Sequence, residues 1–205
     1  MFDLSGFTNF CSQVDPHLSV PEYLSRFLDW LFDDIKKEFL RKIYKEGKEL
    51  WADLPFLAKF LGDGVLFLWD TEEMDPVQIS NVVVTLHDMC VHYVEDFYPR
   101  IKKVVVAPPN ILRCGIARGS VFSVGNGEDY VAPCINVASR LQKLSLLSFC
   151  VSRRGFDFTQ NKSILKQYTV KSVSLPGIGE NELVWVRKKE FDGLPEKEKE
   201  LFRSP

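Results

Sequence analysis

Apolar residues recur along the chain in blocks that switch between a helical period and a strand period. In residues 19–47, Leu24, Phe27, Leu28, Leu31, Ile35 and Phe39 fall at helical intervals. Ser19 and Glu22 stand at capping-box spacing before them and Gly47 follows, which predicts a long amphipathic helix with its charges from Asp33 to Lys48 on a solvated face. Residues 75–101 predict a second helix, with Asp75 as N-cap and Pro76 at its first position. Between the two, "KFLGDGVLFLW" (59–69) reads as two apolar strands around a Gly-Asp-Gly turn. A second hairpin is expected in 111–133, with extended runs on each side of "ARGS" and a Gly-Asn-Gly stretch closing it. "INVASRLQKL" (135–144) follows as a third helix, "YTVKSVSLPGIGENELVWVRK" (168–188) as two strands around a Pro-Gly turn, and 190–205 as a polar tail. The alternation predicts a mixed α and β layer fold.

Composition narrows the class. A chain of 205 residues with 45% hydrophobic content can bury one sizeable core, and no linker divides it, so one domain is expected. The formal net charge is −2 with both signs interspersed, which excludes a basic nucleic-acid footprint. No apolar run reaches the roughly 18 residues a bilayer span needs, and "MFDLSGFTNF" lacks the layout of a signal peptide. No membrane insertion and a cytoplasmic location are therefore expected. Five scattered cysteines without a CxxC pair argue against a disulfide framework or a thiolate zinc site. His87 and His92, five residues apart, would face different sides of a helix, so His17, His87 and His92 are given no metal chemistry.

Three stretches carry candidate chemistry beyond packing. Asp63 between two glycines is first of all turn chemistry. Asp3 ends an extended stretch, and Ser5-Gly6-Phe7-Thr8 after it opens a helix start whose free N–H groups suit phosphate oxygens. Asp3 and Asp63 could then hold one cation from two sides, in the manner of magnesium with one or two carboxylates and substrate phosphates. Asn136 and Arg140, four apart, share a helical face and could point at one ligand, or form a plain surface pair.

Four motifs in order, "FDLSGFT", "KFLGDGVLFLW", "LRCGIARGSVFSVGNGEDY" and "INVASRL", resemble the class III nucleotide cyclases, and "VSLPGIGENELVWV" resembles that family's last strand pair. The resemblance implies an α+β fold, a ferredoxin-like βαββαβ cyclase homology domain with a mixed, mostly antiparallel sheet. It implies a catalytic domain over 1–190, its first strand shortened, and a polar C-terminal tail over 191–205. The implied reaction converts a nucleoside triphosphate to a 3′,5′-cyclic nucleotide and pyrophosphate with two divalent cations, Mg²⁺ or Mn²⁺. By the same resemblance Asp3 and Asp63 hold the metals, with the Leu4 carbonyl as a further ligand. The amides of Ser5, Gly6, Phe7 and Thr8 and the side chain of Arg113 take the phosphates. Asn136 orients the ribose, Arg140 stabilises charge on the α-phosphate, and Lys59 and Asp129 read adenine by donating to a ring nitrogen and accepting from the exocyclic amine.

Lys59 and Asp63 lie about 13 Å apart along an extended chain, too far to serve one phosphate. The family resolves this with a head-to-tail homodimer, in which one subunit supplies Asp3, Asp63 and Arg113 and the other Lys59, Asp129, Asn136 and Arg140. Three departures are visible: the chain begins two residues before Asp3, Ala132-Pro133 stands where the family has a glycine, and Pro176 and Ile178 stand where some members have lysines. The chain also resembles in size the stand-alone anti-phage relatives that make cyclic UMP or cyclic CMP as second messengers, so a pyrimidine substrate is the alternative to ATP. A nucleotide-binding domain without turnover, a magnesium-dependent phosphotransferase and a purely structural dimerisation domain are the competing classes.

Overall fold

The computed structural model describes residues 1–13, 15–40, 53–156, 158 and 162–205. The elements run β1 (Phe2–Ser5), α1 (Phe7–Cys11), α2 (Pro16–Leu40), β2 (Leu57–Phe60), β3 (Gly64–Leu68), α3 (Pro76–His92), a π-helical segment (Tyr93–Phe97), α4 (Tyr98–Ile101) and β4 (Ile111–Ile116). That is the expected βαββαβ order. After it come β5 (Phe122–Val124), β6 (Asp129–Val131), α5 (Pro133–Leu141), β7 (Phe149–Ser152), α6 (Lys162–Gln167), β8 (Tyr168–Leu175), β9 (Gly179–Arg187), α7 (Lys188–Asp192), α8 (Glu196–Lys199) and β10 (Phe202–Arg203). Two compact units divide the chain: residues 3–112, and residues 1–2 with 113–205. The boundaries fall inside β1 and β4 rather than in a linker.

In the 3–112 unit, α2 buries Tyr23, Phe27, Leu31, Ile35 and Phe39, one residue every four. Tyr23 joins this stripe, and its hydroxyl lies 2.6 Å from that of Tyr93, which in turn donates to the Pro109 carbonyl. Rings of Phe7, Phe10, Tyr23, Phe27, Trp30, Tyr93 and Phe97 then pack in a continuous chain of contacts at centroid separations of 5–6.5 Å. The helix begins earlier than expected, because the Asp15 carbonyl accepts from the amides of Leu18 and Ser19 and Pro16 occupies the first helical position. Ser19 therefore lies inside the helix rather than capping it, and Glu22 pairs with Arg26 instead. The expected end at Gly47 lies outside the described residues. For α3 the expectation holds: Asp75 Oδ1 accepts from the amides of Val77 and Gln78, and the Asp75 amide donates to Gln78 Oε1. β1, β3 and β2 lie side by side in that order, β2 and β3 antiparallel with Lys59 opposite Leu66.

In the other unit the strand order is β10-β8-β9-β7-β4. β4 and β7 are parallel and the remaining pairs antiparallel. This corrects the second predicted hairpin. β4 pairs not with β5 but with β7, a strand the periodicity did not single out, because "FCVS" is buried on both faces and shows no alternation. The hairpin is instead β5–β6, closed by Gly125–Gly127. α5 lies against β4 so closely that a Cβ on Gly115 would sit 2.1 Å from the Ala138 carbonyl oxygen. The strand pair β8–β9 turns as expected at Pro176-Gly177, with Gly177 at φ 76° and the Ile178 amide bonded to the Leu175 carbonyl. The C-terminal stretch is no free tail: β10 pairs with β8, and Leu194 and Phe202 are buried in the cluster of Val137, Leu141, Val173 and Val186.

Candidate active site

The turn at the tip of β2–β3 is a two-residue loop, with the Leu61 amide donating to the Gly64 carbonyl at 2.8 Å. Of the two loop residues only Gly62 has positive φ, 93°, a conformation glycine adopts without strain. Asp63 is the second turn residue, half-buried, and its carbonyl accepts from the Leu4 amide at 2.8 Å. That bond ties the residue after Asp3 to Asp63, so the two candidate metal-binding segments meet. Asp3 is buried, at 6% exposure, and Leu4 at 2%. A set of two carboxylates and a main-chain carbonyl offers only oxygen, as hard divalent cations require. Gly6, at φ 82°, turns the chain from Ser5 into α1, and Phe7 and Phe10 pin that helix onto the aromatic cluster. Thus Ser5, Gly6, Phe7 and Thr8 form a bend held from below by apolar packing. Lys59 sits on β2, half-buried.

In the unit containing 113–205, Arg113 sits on β4, half-buried, and its Nε is buried with no hydrogen-bond partner among the described residues. A buried guanidinium donor without an acceptor costs free energy unless a ligand supplies one. Asp129 opens β6, opposite Val124. On α5, Val137, Ala138 and Leu141 are buried, which turns Asn136 and Arg140 to the exposed face as their spacing predicts. Beside Asn136 a cleft of ≈ 480 Å³ is lined by Phe122, Tyr130, Val131, Pro133 and Ile135. Phe122, at 62% exposure, and Val131, at 53%, present apolar surface there.

All five cysteines are free. Burial raises the thiol pKa of Cys134 and of Cys150. The histidines hold one surprise. Among the described residues the group with metal-binding potential is Asp34, Glu38 and His92, with Nδ1 of His92 2.9 Å from Asp34 Oδ2. Burial pushes the His92 ring pKa down, but the hydrogen bond to Asp34 and the charges of Asp34, Glu38 and Asp88 outweigh it and hold the value above the usual 6.5. No local sequence signal could have shown this contact, because 58 residues separate the partners.

The βαββαβ element order and the mostly antiparallel strand pairing match the fold expected from the sequence. The crystal structure of the guanylyl cyclase Cya2 is similar over 91% of this chain and 88% of its own, with a TM-score of 0.61 at 16% identity, a likeness of fold. No protein-family model and no curated protein matches the sequence. No helix among the described residues is long and apolar enough to cross a membrane.

Proposed function

We propose that the protein is a nucleotidyl cyclase, converting a nucleoside triphosphate to a 3′,5′-cyclic nucleotide and pyrophosphate at sites shared between two copies of the chain. The observation that carries this reading is the Leu4–Asp63 backbone bond, which joins the two motif segments through main chain alone. Asp3 and Asp63, with the Leu4 carbonyl, would hold two divalent cations. When bound, these supply the charge that eases ionisation of the ribose 3′-hydroxyl and neutralises the departing pyrophosphate. The bend Ser5–Thr8 offers amides to the phosphates, and Arg113 is assigned to phosphate binding by the motif it stands in. Its unpartnered Nε supports that role. Asn136 orients the ribose and Arg140 meets negative charge on the α-phosphate as it develops, which is electrostatic catalysis by groups already in place. The exposed Phe122, Val124 and Val131 on the β5–β6 hairpin support burial against a second copy.

Lys59 and Asp129 favour ATP, since a carboxylate acceptor matches the exocyclic amine of adenine and mismatches the carbonyl of guanine. The alternative, a pyrimidine cyclase making cyclic UMP or cyclic CMP in anti-phage signalling, is supported by Ala132-Pro133 standing where the family has a glycine. Each nucleoside triphosphate is to be incubated with Mg²⁺ or Mn²⁺ and the product identified by mass. Cyclic AMP as main product, with preference lost in the Lys59 and Asp129 double substitution, is expected. Cyclic UMP or cyclic CMP from the wild type would transfer the assignment to the pyrimidine alternative. Absence of any cyclic product, with nucleotide bound, would leave a non-catalytic binding domain.

A further inference from the structure

His92 ends α3, immediately before the π-helical segment, and faces Asp34 of α2 at 2.9 Å. Glu38 lies one helical turn beyond Asp34, so two carboxylates from α2 and one imidazole from α3 converge, with one donor atom from each within 4.8 Å of the others. Asp34 is 16% exposed and His92 31%, deep enough to hold geometry and open enough to admit an ion.

Two features set this group apart from a surface ion pair. The first is preorganisation. Between α2 and the π-helical segment that continues α3, Phe27 and Trp30 pack edge-on against Tyr93, the Tyr23 hydroxyl lies 2.6 Å from that of Tyr93, and Trp30 also packs against Phe97. The donors are thus carried on a rigid aromatic interface rather than on two independently moving surfaces. The π-helical widening that starts at Tyr93 is a feature that recurs at functional sites and costs regular hydrogen bonding. The second is the donor chemistry. Imidazole with two carboxylates suits a borderline transition metal, whereas magnesium prefers all-oxygen sites. Metal–ligand bonds of about 2.0 to 2.2 Å place donors roughly 3 to 4 Å apart, so closing the present spacing takes side-chain adjustments of about an ångström.

We propose that Asp34, Glu38 and His92 bind a divalent transition-metal ion of the Zn²⁺ class, which clamps α2 to α3. This site shares no residue with Asp3, Asp63 or any other group assigned to cyclisation. The ion would replace the proton that His92 now shares with Asp34, and water would complete its coordination.

Untagged protein of this sequence carrying Asp63→Asn, labelled with ¹⁵N in its histidine rings, is titrated with ZnCl₂ by calorimetry and by ring-nitrogen resonances. One equivalent of Zn²⁺ should bind, the His92 nitrogen that coordinates should shift, and MgCl₂ at the same concentration should leave it in place. Glu38→Gln and His92→Gln should each weaken Zn²⁺ binding by more than about tenfold, the lower bound for disturbing even the partners of a metal ligand. His92 resonances unmoved at saturating Zn²⁺, or unaltered Zn²⁺ affinity in both variants, would overturn the site and leave an interhelical ion pair only. The wild-type His92 resonances decide the question alone if a variant fails to fold.

Discussion

Asp63 owes its place to the residue before it, since Gly62 takes the left-handed conformation that a two-residue turn demands and leaves Asp63 an ordinary backbone. Turn chemistry of this kind is local, so the position of Asp63 was legible in "LGDG". The extended-chain separation of Lys59 and Asp63 was not, because the chain already reverses at Leu61. The two aspartates should respond differently to removal. Asp63→Ala, at a half-buried turn position, should lower cyclisation by at least about 10²- to 10³-fold while leaving thermal unfolding nearly unchanged. Asp3→Ala should lose activity equally and also melt earlier, because the carboxylate is buried at 6% exposure and has partners in the fold. Turnover assays beside melting curves check both, and full turnover in Asp63→Ala would end the two-metal reading. His92 marks the limit of local reasoning: its spacing from His87 said nothing of Asp34 across the helix pair.

Capping and turn residues were read rightly at α3 and at the β8–β9 turn but wrongly at α2, where Ser19 lies inside the helix, and elements defined by their partners were not read. The Asp75 N-cap with Pro76 after it and the Pro176-Gly177 turn announce themselves within a few residues. β7 does not, since both its faces are covered and its partner β4 is reached through α5. The C-terminal segment misleads for a related reason: charged residues such as Glu196 and Lys197 dominate its composition, while single apolar residues anchor it. Phe202→Ala should cost about 3 to 5 kcal/mol in chemical denaturation, the range for truncating a buried phenylalanine, and a negligible change would show that β10 carries no weight. Gly115→Ala tests the seating of α5. Its added methyl would meet the Ala138 carbonyl at 2.1 Å and the Gln142 amide at 2.5 Å, neither of which is a flexible side-chain end. The variant should lose roughly 1 to 3 kcal/mol or more, and its turnover should fall further than its stability, because Asn136 and Arg140 ride on the displaced helix. Unchanged melting and turnover would mean that α5 is less tightly seated than its contacts indicate.

For the whole molecule the decisive property is whether the proposed site is shared between copies. Asp63→Ala and Arg140→Ala should each be nearly inactive alone, since both sites of either homodimer lack one essential group. In a mixture with free exchange, about half the dimers pair the two lesions in one site and leave the other intact, so roughly a quarter of wild-type turnover per dimer should return. Turnover that stays at the level of the separate mutants, with exchange verified by mass spectrometry of differently labelled chains, would rule out the shared site. The division into units at Phe2/Asp3 and Leu112/Arg113 bears on a different matter, the order in which the chain is made. The Gly115 amide donates to the Met1 carbonyl at 2.9 Å and the Met1 amine to the Gly115 carbonyl, contacts that span 114 positions. At synthesis rates of about 5 to 20 residues per second, the first two residues leave the ribosome roughly 6 to 23 s before their partner exists. Residues 3–112 can assemble during that wait, whereas the second unit takes in Met1 and Phe2 and is completed only when Phe202 reaches β8. Nascent chains stalled at successive lengths should therefore resist protease first over residues 3–112, with Met1 and Phe2 remaining accessible until the late strands have been translated.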